Sequence, residues 1–119
     1  MDPKCIILYG SFARGDFNER SDIDLIIIAP NLPKSFYYRS LMLSVFNETL
    51  DPIDFLGFTP EEFIHMIEKR NCTALFAMEE GKPLYGAKYF NFLKVKYEQI
   101  KQKFQLFKGD AAWIPQSFV

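Results

Sequence analysis

Apolar positions along this chain alternate between short continuous runs and stripes at helical spacing. Residues 4–9, Lys-Cys-Ile-Ile-Leu-Tyr, form an apolar run that stops at Gly10, predicting a buried strand. Gly10-Ser11 breaks the run, residues 11–15 predict a short helical turn, and the polar stretch 16–21 reads as a loop. Residues 22–29 hold the strongest strand pattern. They are rich in isoleucine and open with Asp22 and Asp24 on one face and Ile23 and Leu25 on the other. Pro30 and Pro33 punctuate it, and residues 36–48 then take helical spacing, with Tyr37, Leu41 and Val45 on one stripe and Tyr38, Met42 and Phe46 beside it.

Residues 52–58 predict a third strand with Asp54 in its middle. Thr59-Pro60-Glu61-Glu62 is a helix start: Thr59 is placed to cap, Pro60 takes the first helical position, and Glu62 closes a capping box ahead of Phe63, Ile64 and Ile67. A helix over 73–80 stops at Gly81, residues 82–85 predict a short edge strand, and a last helix spans about 88–108 with Gly109 as its stop. Strand and helix alternate without repeats or linkers. The expected architecture is a single α/β (α+β) domain over 1–119, a small mixed sheet flanked by helices. Its core lies at about 4–87, and an amphipathic C-terminal helix with a tail follows.

Composition narrows the class. The 119 residues are 49% hydrophobic and 24% charged, the profile of a globule with a real core and not of a disordered chain. Cys5 and Cys72 stand far apart with no metal-ligand spacing, so neither a disulfide framework nor a zinc site is expected, and a reducing cytoplasm fits. The longest apolar run, 25–30, is far short of a membrane span, and no secretory signal opens the chain. The net charge of -1 hides an uneven distribution: residues 1–87 hold 8 basic and 13 acidic side chains, whereas 88–119 hold 6 and 2. The acidic body is not steered toward a polyanion, and with no RNA-binding motif present, direct nucleic-acid binding is not expected.

The chemistry concentrates in two places. Aspartates two residues apart on a strand lie on one face, about 7 Å apart at the backbone, close enough for their side chains to converge on a hard cation such as Mg²⁺, though such a face can also simply be solvated where the strand starts. Asp is depleted in strands, so a pair of them there asks for a compensating cation or donor. Gly10-Ser11 ends the preceding strand, with ten residues between Ser11 and Asp22. Glycine admits a phosphate to the backbone, serine adds a hydroxyl, and the N–H groups of the next turn favour an anion. Arg14 stands one turn on, within reach of phosphate oxygens, and Asp54 adds a third carboxylate, either as a second-metal ligand or as acceptor of a proton from an attacking hydroxyl.

The stretch from Tyr9 to Asp16, Tyr-Gly-Ser-Phe-Ala-Arg-Gly-Asp, followed by Ser21-Asp22-Ile23-Asp24-Leu25, resembles the signature of the nucleotidyltransferase superfamily that includes DNA polymerase beta. More narrowly it is similar to the minimal nucleotidyltransferases, antitoxins of the MntA type encoded beside a HEPN-domain partner. The resemblance implies the nucleotidyltransferase fold. It implies that Gly10 and Ser11 hold the β- and γ-phosphates of ATP, that Asp22 and Asp24 bind two Mg²⁺ ions, and that Asp54 is the third carboxylate and general base. Asp51, just before Pro52, competes for that last role. It further implies transfer of AMP from ATP to a tyrosine of a HEPN ribonuclease toxin. The family's helix before the first strand has only residues 1–3 to correspond to it here.

Other features have plainer readings. Phe90, Tyr97 and Phe104 with Leu93, Ile100 and Phe107 make a two-stripe seam flanked by Lys94, Lys96, Lys101, Lys103 and Lys108. It suits either a core helix with snorkelling lysines or a docking face for an acidic partner, with Phe92, Val95 and Leu106 off the seam. His65 has no ligand at metal spacing and reads as structural. Phe36, Tyr37, Tyr38 and Trp113 exceed what a small core needs and read partly as contact surface, one of them available to stack on adenine. Two other functions compete with protein adenylylation: an antitoxin that only occludes its partner, and a small-molecule enzyme of the aminoglycoside nucleotidyltransferase type.

Overall fold

The computed structural model describes residues 2–10, 13, 15, 23–44, 53–108 and 113–115. Strands β1 (Cys5–Tyr9) and β2 (Ile23–Ile28) are followed by helix α1 (Phe36–Ser44), strand β3 (Ile53–Phe58), helices α2 (Pro60–Glu68) and α3 (Cys72–Glu80), strand β4 (Lys82–Tyr85) and helix α4 (Ala87–Lys103). A small pair, β5 (Leu106–Lys108) and β6 (Trp113–Pro115), comes last. The main sheet has the order β3-β2-β1-β4. β1 runs antiparallel to β2 and β4, while β2 and β3 run parallel, so the sheet is mixed as expected. The parallel pair needs a crossover, and α1 supplies it.

β2 is buried on both faces: Ile26, Ile27 and Ile28 are 0%, 4% and 0% exposed. On one face Cys5, Ile7, Ile26, Ile28 and Phe58 meet Phe63 and Ile67 of α2, Leu75 and Met78 of α3, and Phe90, Leu93 and Tyr97 of α4. On the other, Ile27 and Ala29 meet Leu32 and Leu43. The seam of α4 is therefore core. Its lysines are largely spoken for within the chain: Lys94 donates to the Met78 carbonyl, Lys96 pairs with Glu68 at 3.9 Å, and Lys101 pairs with Glu79 at 3.7 Å. The Tyr97 hydroxyl, buried beneath them, donates to Glu79, and burial together with that carboxylate pushes the phenol far up. Phe92 and Val95 remain exposed.

α4 ends sooner than its sequence pattern. The expected span 88–108 continues through Phe104 and Phe107, but the helix stops at Lys103, Phe104 caps it, and Gln105 takes φ +50°. A left-handed residue breaks the helical hydrogen-bond series whatever the apolar spacing beyond it. Arg70 lies 4.0 Å over the Phe104 ring, and Leu106 is buried as the chain enters β5. Gly109, the expected stop, lies outside the described residues. At the other end of the helix Gly86 (φ +74°) leaves no room for a side chain: a Cβ there would stand 2.0 Å from the Lys4 carbonyl oxygen.

The inward face of α1 is chosen by an ion pair. Tyr37, Tyr38 and Leu41 are 69%, 62% and 49% exposed, whereas Leu43 and Arg39 are buried. Among the described residues Arg39 is the one buried charged side chain. Its guanidinium donates to Glu62 Oε1 at 2.7 Å and Oε2 at 3.0 Å, to the Gly57 carbonyl at 3.1 Å, and through Nε to the Pro33 carbonyl. Glu62 is at the same time the closing residue of the capping box: it accepts the Thr59 N–H at 2.8 Å, and the Thr59 hydroxyl accepts the Glu62 N–H at 3.2 Å. The expected stripe members Val45 and Phe46 lie outside the described residues. The exposure expected for Phe36, Tyr37 and Tyr38 is what the fold shows. α3 begins one residue earlier than the pattern, because the Asn71 side chain caps it by accepting the Ala74 N–H at 3.2 Å.

Removing one partner of a bidentate pair strands the other, and Glu62 is 39% exposed, which softens the loss. Glu62→Gln is expected to destabilise the fold by about 1–3 kcal/mol in urea unfolding. The Arg39 hydrogen bonds, foremost, hold the Glu62 carboxyl below its ordinary value near 4.5. Its contribution is therefore complete above that value and is lost as pH falls through the lowered folded one. The substitution should flatten this acid limb of the stability profile.

Candidate active site

Three strand ends converge at one edge of the sheet. β1 arrives there at Tyr9, while β2 and β3 begin there, and the registers place Tyr9 opposite Asp24 and Asp24 opposite Asp54. These three residues form one row across adjacent strands about 4.8 Å apart, on the face that buries Ile26 and Ile28 deeper in the sheet. Asp24 is half-buried and Asp54 exposed. Two carboxylates at directly paired positions repel each other unless a cation or donor lies between them. An all-oxygen pair of this kind suits a hard divalent cation and not a thiophilic one.

Gly10 follows Tyr9 with φ +79°, and a Cβ built on it would stand 2.5 Å from Asp24 Oδ2. The bare backbone at the end of β1 thus lies against the Asp24 carboxylate. Burial, and after it the charges of Asp24 and Asp54, push the Tyr9 phenol above its ordinary value of 10.0. Tyr9 opens the signature but is not among the expected site residues. Its signal was the parity Cys5, Ile7, Tyr9, which puts it on the same face as Asp24 once the register is known.

Of the residues singled out from sequence, Gly10, Asp24 and Asp54 are brought together. Ser11, Arg14, Asp22 and the competing Asp51 lie outside the described residues. Among the described residues there is no group of three or more His, Cys, Asp or Glu side chains poised around one point. His65 is exposed on α2, and Cys5 and Cys72 are both free thiols, the buried Cys5 pushed up to about 11 by desolvation. The Phe36 ring packs 6.3 Å from Phe58, at the opposite end of β3 from Asp54 and about 13 Å along the strand. The Trp113 side chain lies outside the described residues. No helix of the described residues is long and apolar enough to cross a membrane.

The family model described as polymerase beta, nucleotidyltransferase matches residues 1–86. Two proteins of Methanocaldococcus jannaschii named for a protein adenylyltransferase activity are 66% identical over 29 residues and 50% identical over 28. Each alignment covers 24% of this chain, and only 20% and 28% of the respective relatives. Among solved structures, a chain of a toxin–antitoxin crystal structure with AMP-PNP superposes with a TM-score of 0.58 at 20% identity, covering 88% of this chain and 79% of that one. A chain of a mutant MntA-HpeT toxin–antitoxin structure gives 0.57 at 17% identity, covering 87% and 78%. These likenesses show the fold, a mixed sheet with helices of the nucleotidyltransferase type.

Paired like charges at a strand end carry a cost that neutralisation removes. In a chelator-containing buffer Asp54→Asn is expected to raise the melting temperature slightly, by the equivalent of at most about 1 kcal/mol, measured by differential scanning fluorimetry.

Proposed function

The chain belongs to the polymerase beta nucleotidyltransferase family, and on that premise we propose that it transfers AMP from ATP to an acceptor hydroxyl, a tyrosine of a HEPN-type toxin, as an antitoxin of the MntA kind. The observation that supports this most is the register of Asp24 with Asp54 beside Gly10, at the one edge where the ends of β1, β2 and β3 meet. The toxin–antitoxin context of the solved relatives supports the kind of partner, and the names of the archaeal relatives support protein as the acceptor class.

Mg²⁺ fits the donor set, with Asp24 and Asp54 as ligands here and Asp22 as the third by resemblance. When bound, it supplies charge neutralisation for the triphosphate and the departing pyrophosphate. The chain's own residues bind and orient. Gly10, which takes a left-handed backbone, would hold the β- and γ-phosphates with Ser11 and Arg14, the roles that the resemblance implies. Asp54 is exposed and so open to the acceptor, and it takes the hydroxyl proton as the oxygen attacks the α-phosphorus. The new O–P bond forms as the bond from the α-phosphorus to the bridging oxygen breaks, and pyrophosphate departs. Tyr9 lines the row beside the two carboxylates.

The test is incubation with ATP labelled in the α-phosphate, Mg²⁺ and the toxin encoded beside this chain. Label is expected on the toxin. Asp24→Asn should abolish it, and Asp54→Asn should slow it by about 10²–10⁴-fold, the usual loss for a general base. A toxin silenced without label would instead establish occlusion, and label on an added aminoglycoside would establish a small-molecule transferase.

A further inference from the structure

We infer that Gly10 is a positioning residue for Asp24: the space its missing side chain leaves is the socket of the Asp24 carboxylate. This rests on the reading of Asp24 as a cation ligand, but the steric relation stands on its own. The described glycines differ in what a Cβ would meet. At Gly15 it would meet nothing within 4 Å, at Gly57 the Leu43 and Leu32 methyl groups at 3.0 and 3.2 Å, and at Gly81 and Gly86 backbone carbonyl oxygens at 2.2 and 2.0 Å. At Gly10 alone among them it would meet a charged atom, Asp24 Oδ2 at 2.5 Å, with the Asp24 carboxyl carbon at 3.4 Å.

The position of that contact in the sheet gives it a purpose. The strand order is β3-β2-β1, so Asp24 has Asp54 on one side and the end of β1 on the other. An oxygen lodged against Gly10 leans toward β1, away from the like charge on β3. A methyl group at Gly10 would stand too close to that oxygen, so the Asp24 carboxylate would have to turn out of its place or the end of β1 would have to bend. Either movement redirects a ligand whose direction must be set before a cation arrives. The glycine of the Gly10-Ser11 pair thus serves the carboxylate in addition to the phosphates.

A double-mutant cycle of Gly10→Ala with Asp24→Ala tests this, read by melting temperature and by Mn²⁺ affinity from electron paramagnetic resonance without nucleotide. Gly10→Ala should lower the melting temperature of the otherwise unaltered chain by clearly more than it does in the Asp24→Ala background, where the obstructing oxygen is gone and only the left-handed backbone still disfavours alanine. It should weaken nucleotide-free Mn²⁺ binding by about 10- to 100-fold and lower kcat more than it raises KM for ATP. If Gly10→Ala fails to fold, folding of the double variant supports the socket, and failure of both overturns it. Equal melting losses in the two backgrounds would also overturn it, as would unchanged Mn²⁺ affinity with only KM for ATP raised. If the unaltered chain neither binds Mn²⁺ nor transfers AMP, the functional reading fails while the melting cycle still decides the socket.

Discussion

β2 is paired antiparallel on one side and parallel on the other, and the row Tyr9–Asp24–Asp54 depends on that asymmetry. Antiparallel pairing brings the end of β1 to the start of β2, and parallel pairing brings the start of β3 to the same edge. Had β3 joined β2 antiparallel, Asp54 would face the far end of the sheet, several strand spacings from Asp24. The strand that imposes this is also the one with the fewest alternatives. Buried on both faces, it cannot slip by one residue without sending Asp24 to the opposite face and breaking two packed layers.

A second constraint holds the far edge. Arg39 and Glu62 bind the crossover helix, the Gly57 carbonyl near the end of β3 and the first turn of α2 into one polar knot. Because Glu62 serves both the guanidinium and the Thr59 cap, the end of β3 and the start of α2 are set together. The same knot explains the surface of α1: turning its only charge inward to a partner leaves Phe36, Tyr37, Tyr38 and Leu41 outside. Phe36 itself packs against Phe58, at the end of β3 opposite Asp54.

The family match ends at residue 86, yet the core does not. Phe90, Leu93, Tyr97 and Ile100 of α4 close the helical face over the same sheet residues that the matched region contributes. The turn at Gly86 presses α4's start onto the backbone of β1, so the sheet and its last helix share one interface. The basic charge of residues 88–119 is partly spent in this packing, through Lys94, Lys96 and Lys101.

Local pattern was enough for much of the architecture. β1, β2, β3 and β4, the Thr59 capping box and the approximate helices were legible because strand runs, caps and breakers are properties of a few adjacent residues. So was the pairing of Gly10 with a nearby aspartate as a candidate site, since the motif is contiguous within sixteen residues. Three things were not. The buried face of α1 turned on a charge pair between residues 23 apart in sequence. The end of α4 turned on a left-handed Gln105, which apolar spacing does not encode. The row Tyr9–Asp24–Asp54 turned on strand register. Each depends on a partner or a backbone state set elsewhere in the molecule. The sequence by itself therefore singled out the candidate residues, and only the tertiary structure decided that Asp24 and Asp54 stand together, because register and ion-pair partners are chosen by packing across the sheet and not by neighbours along the chain.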